Sequence, residues 1–151
     1  MSEFIADYHE TEEASLLVYN LGRLSLEWNM VEHFLSATVW ELLGNYPAGM
    51  AITAGMGNLS KSDVVMLLAR EQIKSKEALS AIESACKAFN ILRENRNVLI
   101  HSHSIVRGEN GGKPHWRRAS GKNPSGHKST EADFNDLENL IAQVCHLGKY
   151  I

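Results

Sequence analysis

Leu92-Arg93-Glu94-Asn95-Arg96-Asn97-Val98-Leu99-Ile100-His101-Ser102-His103 carries on an apolar stripe formed by Ile82, Ala85, Phe89, Leu92, Leu99 and Ile100. Those positions have the spacing of an amphipathic helix. At about 100° per residue, Arg96 falls within roughly 60° of every one of them, so a cation occupies the face that the helix buries. A buried guanidinium requires an anion. An internal carboxylate, a subunit interface or a phosphate would each meet the requirement, the last because the planar guanidinium fork grips it with two hydrogen bonds.

Outward from this segment the chain reads as helices. N-terminal to it, Ser75 offers a capping hydroxyl for the helix that leads into the segment. Ser60-Lys61-Ser62-Asp63 fits a capping box, with Asp in place of Glu, for a shorter helix carrying Val64, Leu67 and Leu68 and ending near Ile73. Pro47 is placed to start a short helix running to about Thr53. Gly55 and Gly57 precede Lys61-Ser62 without forming a Gly-Lys-Ser/Thr phosphate loop.

Earlier still, Thr11-Glu12-Glu13 is an N-terminal helix signal and Gly44 a stop. Between them Leu17, Leu21, Leu24, Trp28, Val31, Leu35, Val39 and Leu42 repeat at three and four. This predicts one helix of about thirty residues, roughly 45 Å long, more than a compact three-helix domain needs, and the extra length points to a partner subunit. Trp28 falls on its apolar stripe, and Glu32, one turn on, is a candidate carboxylate for Arg96.

On the C-terminal side, Ser104-Ile105-Val106 and His115-Trp116-Arg117-Arg118 flank Glu109-Asn110-Gly111-Gly112, a hairpin signal. Ser120 to Gly126 is loop by composition. Thr130-Glu131-Ala132-Asp133 has the form of a capping box for a last helix bearing Phe134, Leu137, Leu140, Ile141, Val144 and Leu147 and ending at Gly148. The expectation is therefore an all-α, up-and-down bundle of four or five helices, a single domain over 1–151, with a small basic β-hairpin or loop insertion at 107–128 before the last helix.

The 151 residues suffice for a real core, and 44% hydrophobic with 22% charged content is ordinary for a globular protein. No run of apolar residues has transmembrane length and the start lacks a signal-type core, which places the expected protein in the cytoplasm with no membrane contact. Cys86 and Cys145 lie far apart on apolar helical stripes and read as free thiols. The net charge of -3 hides an asymmetry, because Arg107, Lys113, Arg117, Arg118, Lys122 and Lys128 face one acid, Glu109, within 107–128. A segment carrying +5 in an acidic chain suits a polyanion; a solvated loop is the alternative. Arg107, Lys113, His115, Trp116, Arg117 and Arg118 mix cations with an aromatic, a combination that holds an RNA strand by phosphate contacts and stacking, unless the Trp packs on the bundle.

Arg96 is followed by polar Asn97, three apolar residues and His101, an arrangement that resembles the Arg-polar-x3-His motif of the HEPN ribonucleases. The long first helix, the shorter helix opening at Asn58 and the motif closing a third long helix are similar to that superfamily in order, over about the first two-thirds of the chain. The resemblance implies a homodimer in which two motifs meet in one cleft, Arg96 and His101 acting on RNA and Asn97 orienting them. The motif tolerates longer spacings, so His103 also matches. In a regular helix His101 lies about 140° from Arg96 and His103 within about 20°. His101 is preferred, because Asn97 completes the compact form and a helix ending near Ile100 can swing its last residue round.

The implied activity is a metal-independent endoribonuclease of the toxin or antiviral kind. Histidine takes the proton of a ribose 2′-OH and arginine stabilises the phosphoryl charge, with no cofactor. A toxin-type protein would have an antitoxin partner, of nucleotidyltransferase type. The alternative is a non-catalytic HEPN-like dimeric scaffold or a nucleotide- or RNA-binding module. His101-Ser102-His103 could share a strand face and suggest a metal, yet no third ligand follows at a recognisable spacing, and no metal site is assigned. A histidine just past a helix end also simply suits the negative end of the dipole.

Overall fold

Helix α1 (Glu12–Leu43) runs unbroken for 32 residues because no proline interrupts its apolar repeat. At 1.5 Å per residue it is about 48 Å long. It stops at Gly44, whose φ of 62° and N–H bonded to the Glu41 carbonyl at 3.0 Å turn the chain away. The computed structural model describes residues 12–102, 104–106, 115–119 and 127–150. Thr11, the expected cap of α1, lies outside the described residues, as do His103, Arg107 and Lys113.

Three more helices follow with short turns. Asn45 caps α2 (Tyr46–Ala54), its Oδ1 accepting the Ala48 N–H at 3.1 Å, and Pro47 sits in the first turn as expected. Helix α3 (Asn58–Gln72) opens on Gly57 without a side-chain cap. The expected capping box at Ser60-Lys61-Ser62-Asp63 does not start it, because the helix already begins at Asn58 and Ser60 lies within its first turn; Ser62, 1% exposed, accepts from Asn90 Nδ2 at 3.2 Å through its hydroxyl. Helix α4 (Lys76–Ile100) has the expected cap, Ser75 Oγ accepting the Ala78 N–H at 3.2 Å.

A three-stranded antiparallel sheet of order β1-β2-β3 comes next, made of β1 (Ser104–Val106), β2 (His115–Ala119) and β3 (His127–Glu131). The hairpin expected from the sequence is present as β1 and β2, and β3 is an addition. Its pairing corrects the reading of the last helix: Thr130 is opposite Trp116 and Glu131 opposite His115, so neither belongs to a cap. Helix α5 (Phe134–Leu147) opens three residues later on a reciprocal box, Asp133 Oδ1 accepting the Asp136 N–H and Asp136 Oδ2 the Asp133 N–H, each at 2.9 Å. The fold is an all-α helical bundle carrying this small sheet, and no helix of the described residues is long and apolar enough to cross a membrane.

The chain divides into two compact units. The unit formed by Glu27–Glu94 and Gln143–Ile151 is centred on Trp28, wholly buried and stacked on Phe89 with ring centroids 4.9 Å apart. The indole N–H donates to Glu32 Oε1, which also takes the side-chain amide of Asn58. Val31, Leu35, Val39, Val65, Ala69, Leu92, Val144 and Leu147 are buried there too. The unit formed by Met1–Leu26 and Asn95–Ala142 buries Leu17, Leu24, Val98, Leu99, Trp116, Ala132, Leu137, Leu140 and Ile141. Along α1 the buried repeat passes through Asn20, 2% exposed, while Leu21 is half-buried. Asn20 Nδ2 has no hydrogen-bond partner among the described residues.

Helix α2 docks through Gly49 and Thr53, its buried residues, on the Trp40 side chain, whose Nε1 donates to Thr53 Oγ1 at 2.8 Å. A Cβ at Gly49 would lie 2.7 Å from Trp40 Cδ1 and 2.9 Å from Trp40 Cα, closer than carbon atoms approach. Gly22, exposed on α1, has nothing within 4 Å of such a Cβ. The same substitution therefore has opposite signs at the two sites. Gly22→Ala should stabilise by roughly 0.5–1 kcal/mol through helix propensity. Gly49→Ala should destabilise by about 1–3 kcal/mol through overpacking, both read from urea unfolding midpoints.

Cys86 and Cys145 are free, as expected. Burial pushes the Cys86 thiol above its ordinary range, outweighing the contact its Sγ makes with the Ser62 carbonyl. The unfolded chain ionises this thiol first, so its contribution to stability is intact below the free thiol's pKa and is lost as pH rises through the buried one's. Between about pH 7 and about pH 10, wild type should lose stability relative to Cys86→Ala, as measured by paired urea titrations.

Candidate functional site

The C-terminal turn of α4 holds three of the four residues expected to be catalytic. Val98 and Leu99, both buried, hold this turn in the unit formed by Met1–Leu26 and Asn95–Ala142, and Arg96 is half-buried just ahead of them. Arg96 Nη1 donates to Asn97 Oδ1 at 3.2 Å. The carbonyl of Asn97 accepts the His101 N–H, also at 3.2 Å. Asn97 thus touches the arginine through its side chain and the histidine through its main chain.

The helix ends at Ile100, where the sequence placed it, and His101 is exposed just beyond. Ser102 closes the turn, its N–H reaching the Leu99 carbonyl at 3.4 Å and its hydroxyl donating to the Val98 carbonyl. Because the His101 N–H still makes the i to i−4 bond, the chain departs from the helix only after this residue. The main chain therefore does not swing His101 round to Arg96, and the two stay about 140° apart around the axis. Within one chain the guanidinium and imidazole diverge. His103, the longer-spaced candidate, lies outside the described residues.

Glu32, the carboxylate considered for Arg96, has a different occupation. Its Oε1 accepts from Trp28 and Asn58, which makes it part of the α1 and α3 packing. No group of three or more His, Cys, Asp or Glu side chains positioned for a metal ion occurs among the described residues.

The sheet sorts the expected RNA-binding residues by alternation. Trp116, Ile105 and Thr130 are in register, and Arg118 with Lys128 shares their face; His115, Arg117 and Ala119 belong to the opposite face with Ser104, Val106, His127, Ser129 and Glu131. Trp116 is 4% exposed and its indole N–H donates to the Ala132 carbonyl at 2.9 Å. Of the two alternatives, base stacking and packing, the structure shows the second: the ring is part of the core, since covering a large apolar surface and satisfying one N–H outweigh leaving it wet. Arg107 and Lys113 lie outside the described residues. Lys128 is in register with Arg118.

No protein-family model matches this chain, and neither the curated proteins nor the solved structures yield a match to it.

Trp116→Phe should cost about 1 kcal/mol or more, from the Ala132 carbonyl left without its donor, as read from the urea unfolding midpoint. Unchanged stability would mean that the indole N–H is not part of the packing.

Proposed function

We propose that this chain is a metal-independent endoribonuclease of HEPN type that acts as a homodimer on single-stranded RNA. The observation that carries the reading is Asn97, which joins Arg96 through its side chain and His101 through its carbonyl, at 3.2 Å each. His101 accepts the proton of a ribose 2′-OH, the 2′ oxygen attacks the adjacent phosphorus, and the 5′ oxygen leaves as an alcohol. Arg96 binds the non-bridging oxygens where negative charge gathers. The products are a 2′,3′-cyclic phosphate and a 5′-hydroxyl.

The divergence of Arg96 and His101 around α4 supports a composite site, in which the imidazole of one chain works beside the guanidinium of another. His101 of the partner subunit would then supply the leaving group's proton. Helix α1 supports a dimer independently, since it leaves Leu16, Tyr19 and Leu26 exposed at 44%, 65% and 69% on one face. In a toxin-type setting the antitoxin would be a separate protein that blocks or modifies this cleft.

Cleavage of single-stranded RNA should persist in EDTA and vanish when the ribose at the cut site is 2′-deoxy. Arg96→Ala and His101→Ala should each reduce the rate by about 10²-fold or more, the scale of losing one charge-stabilising donor or one base. Asn97→Ala should fall between these and wild type, and His103→Ala should do little. A larger loss for His103→Ala than for His101→Ala would transfer the base to the longer spacing. A wild type that cleaves nothing would leave the dimeric scaffold reading. Light scattering coupled to size exclusion should give twice the chain mass at tens of micromolar, and a monomer there would remove the composite cleft.

A further inference from the structure

Helix α1 carries a second repeat beside the one it buries. Leu16, Tyr19, Arg23 and Leu26 follow one another at spacings of three, four and three, and all four are exposed. At about 100° per residue they lie within roughly 80° of arc, which is the stripe that one helix of a coiled coil presents to another. Arg23 stands in the middle of this stripe. Among the described residues neither Arg23 nor Tyr19 has a hydrogen bond, an ion pair or a ring contact.

The stripe complements itself when the helix is turned end for end. Its spacings read the same from either end, so a second copy laid antiparallel sets Leu16 opposite the partner's Leu26 and Tyr19 opposite the partner's Arg23. Each contact is made twice about the two-fold axis. Only this register pairs all four positions with one another; a shift of one heptad either way keeps just two of them paired. A parallel copy in register would set Arg23 against the partner's Arg23, a repulsion at the centre of the seam. We propose that the dimer forms through α1, the two helices antiparallel, with the Arg23 guanidinium of each copy on the Tyr19 ring of the other. A guanidinium suits such a seam, being weakly hydrated and able to stack on an aromatic face. The inference rests on the homodimer proposed above and gives it an interface; the cleavage chemistry does not enter.

Analytical ultracentrifugation of the full chain tests the pairing. Tyr19→Arg sets two guanidinium groups against each other at both contacts and should raise the dimer dissociation constant by about tenfold or more. Adding Arg23→Tyr exchanges the two members of each contact and should restore most of the lost affinity. A parallel pair would not be rescued, because Tyr19→Arg then faces its own copy. Direction and register are read separately by cross-linking in a Cys86→Ala, Cys145→Ser background. Leu16→Cys combined with Leu26→Cys should give a covalent dimer on oxidation. Leu16→Cys alone should not, since the antiparallel pair holds the two sulfurs about 15 Å apart along the axis. Far-UV circular dichroism checks that each variant keeps its helices.

A wild-type dimer that Tyr19→Arg leaves intact, or that links through Leu16→Cys alone, overturns the antiparallel seam and leaves the homodimer standing on another face. A wild-type monomer overturns both, and the stripe then belongs to a different partner. A dimer that behaves as expected in both experiments but cuts no RNA keeps the seam and removes the ribonuclease.

Discussion

The unit formed by Glu27–Glu94 and Gln143–Ile151 depends on the indole of Trp28. The ring lies flat on Phe89 of α4, and its N–H is satisfied by Glu32, whose carboxylate also holds Asn58 at the start of α3. Two side chains one turn apart on α1 therefore tie three helices. The carboxylate matters as much as the ring: a buried indole N–H without an acceptor costs what a lost hydrogen bond costs, and truncating the ring would cost about 3–5 kcal/mol. A second polar link runs between Ser62 of α3 and Asn90 of α4, so the seam is fixed in register by directional bonds as well as by apolar contact.

In the other unit, Trp116 plays the corresponding part. Its burial and its bond to Ala132 set which face of the three-stranded sheet is turned to the core, and strand alternation then assigns the residues of the described strands to one face or the other. Cations that look alike along the sequence become different in kind. Arg117 is in register with Ser104 and Ser129 on one face, while Arg118 is in register with Lys128 on the other. Only the latter pairing sets two full charges of one sign opposite each other.

The proposed chemistry draws on two features that a single α4 cannot unite. Asn97 couples Arg96 and His101 by hydrogen bonds, yet the helix carries their side chains to different sides. Helical geometry thus favours a site shared between two copies over one assembled within a chain. In the proposed site Asn97 would be a positioning residue: its amide oxygen accepts from the Arg96 guanidinium and its carbonyl accepts the His101 N–H at the end of the helix.

Local and periodic features were legible from the residues alone. The full length of α1, its stop at Gly44, the place of Pro47 in the first turn of α2, the cap at Ser75, the end of α4 at Ile100 and the β1–β2 hairpin follow from spacing, capping chemistry and backbone conformation that neighbouring residues decide. Where two local signals competed, tertiary structure chose. Ser60-Lys61-Ser62-Asp63 and Thr130-Glu131-Ala132-Asp133 both have the letters of a capping box, but the first lies inside a helix that already begins at Asn58, and Thr130 is paired with Trp116 in the sheet. Glu32 was one turn from Trp28 in sequence and so equally eligible for Trp28, Asn58 or Arg96, and only the packing of α1 on α3 and α4 assigned it. The register that places Arg118 opposite Lys128 was likewise not legible, because pairing between β2 and β3 is decided across the sheet and not within either strand.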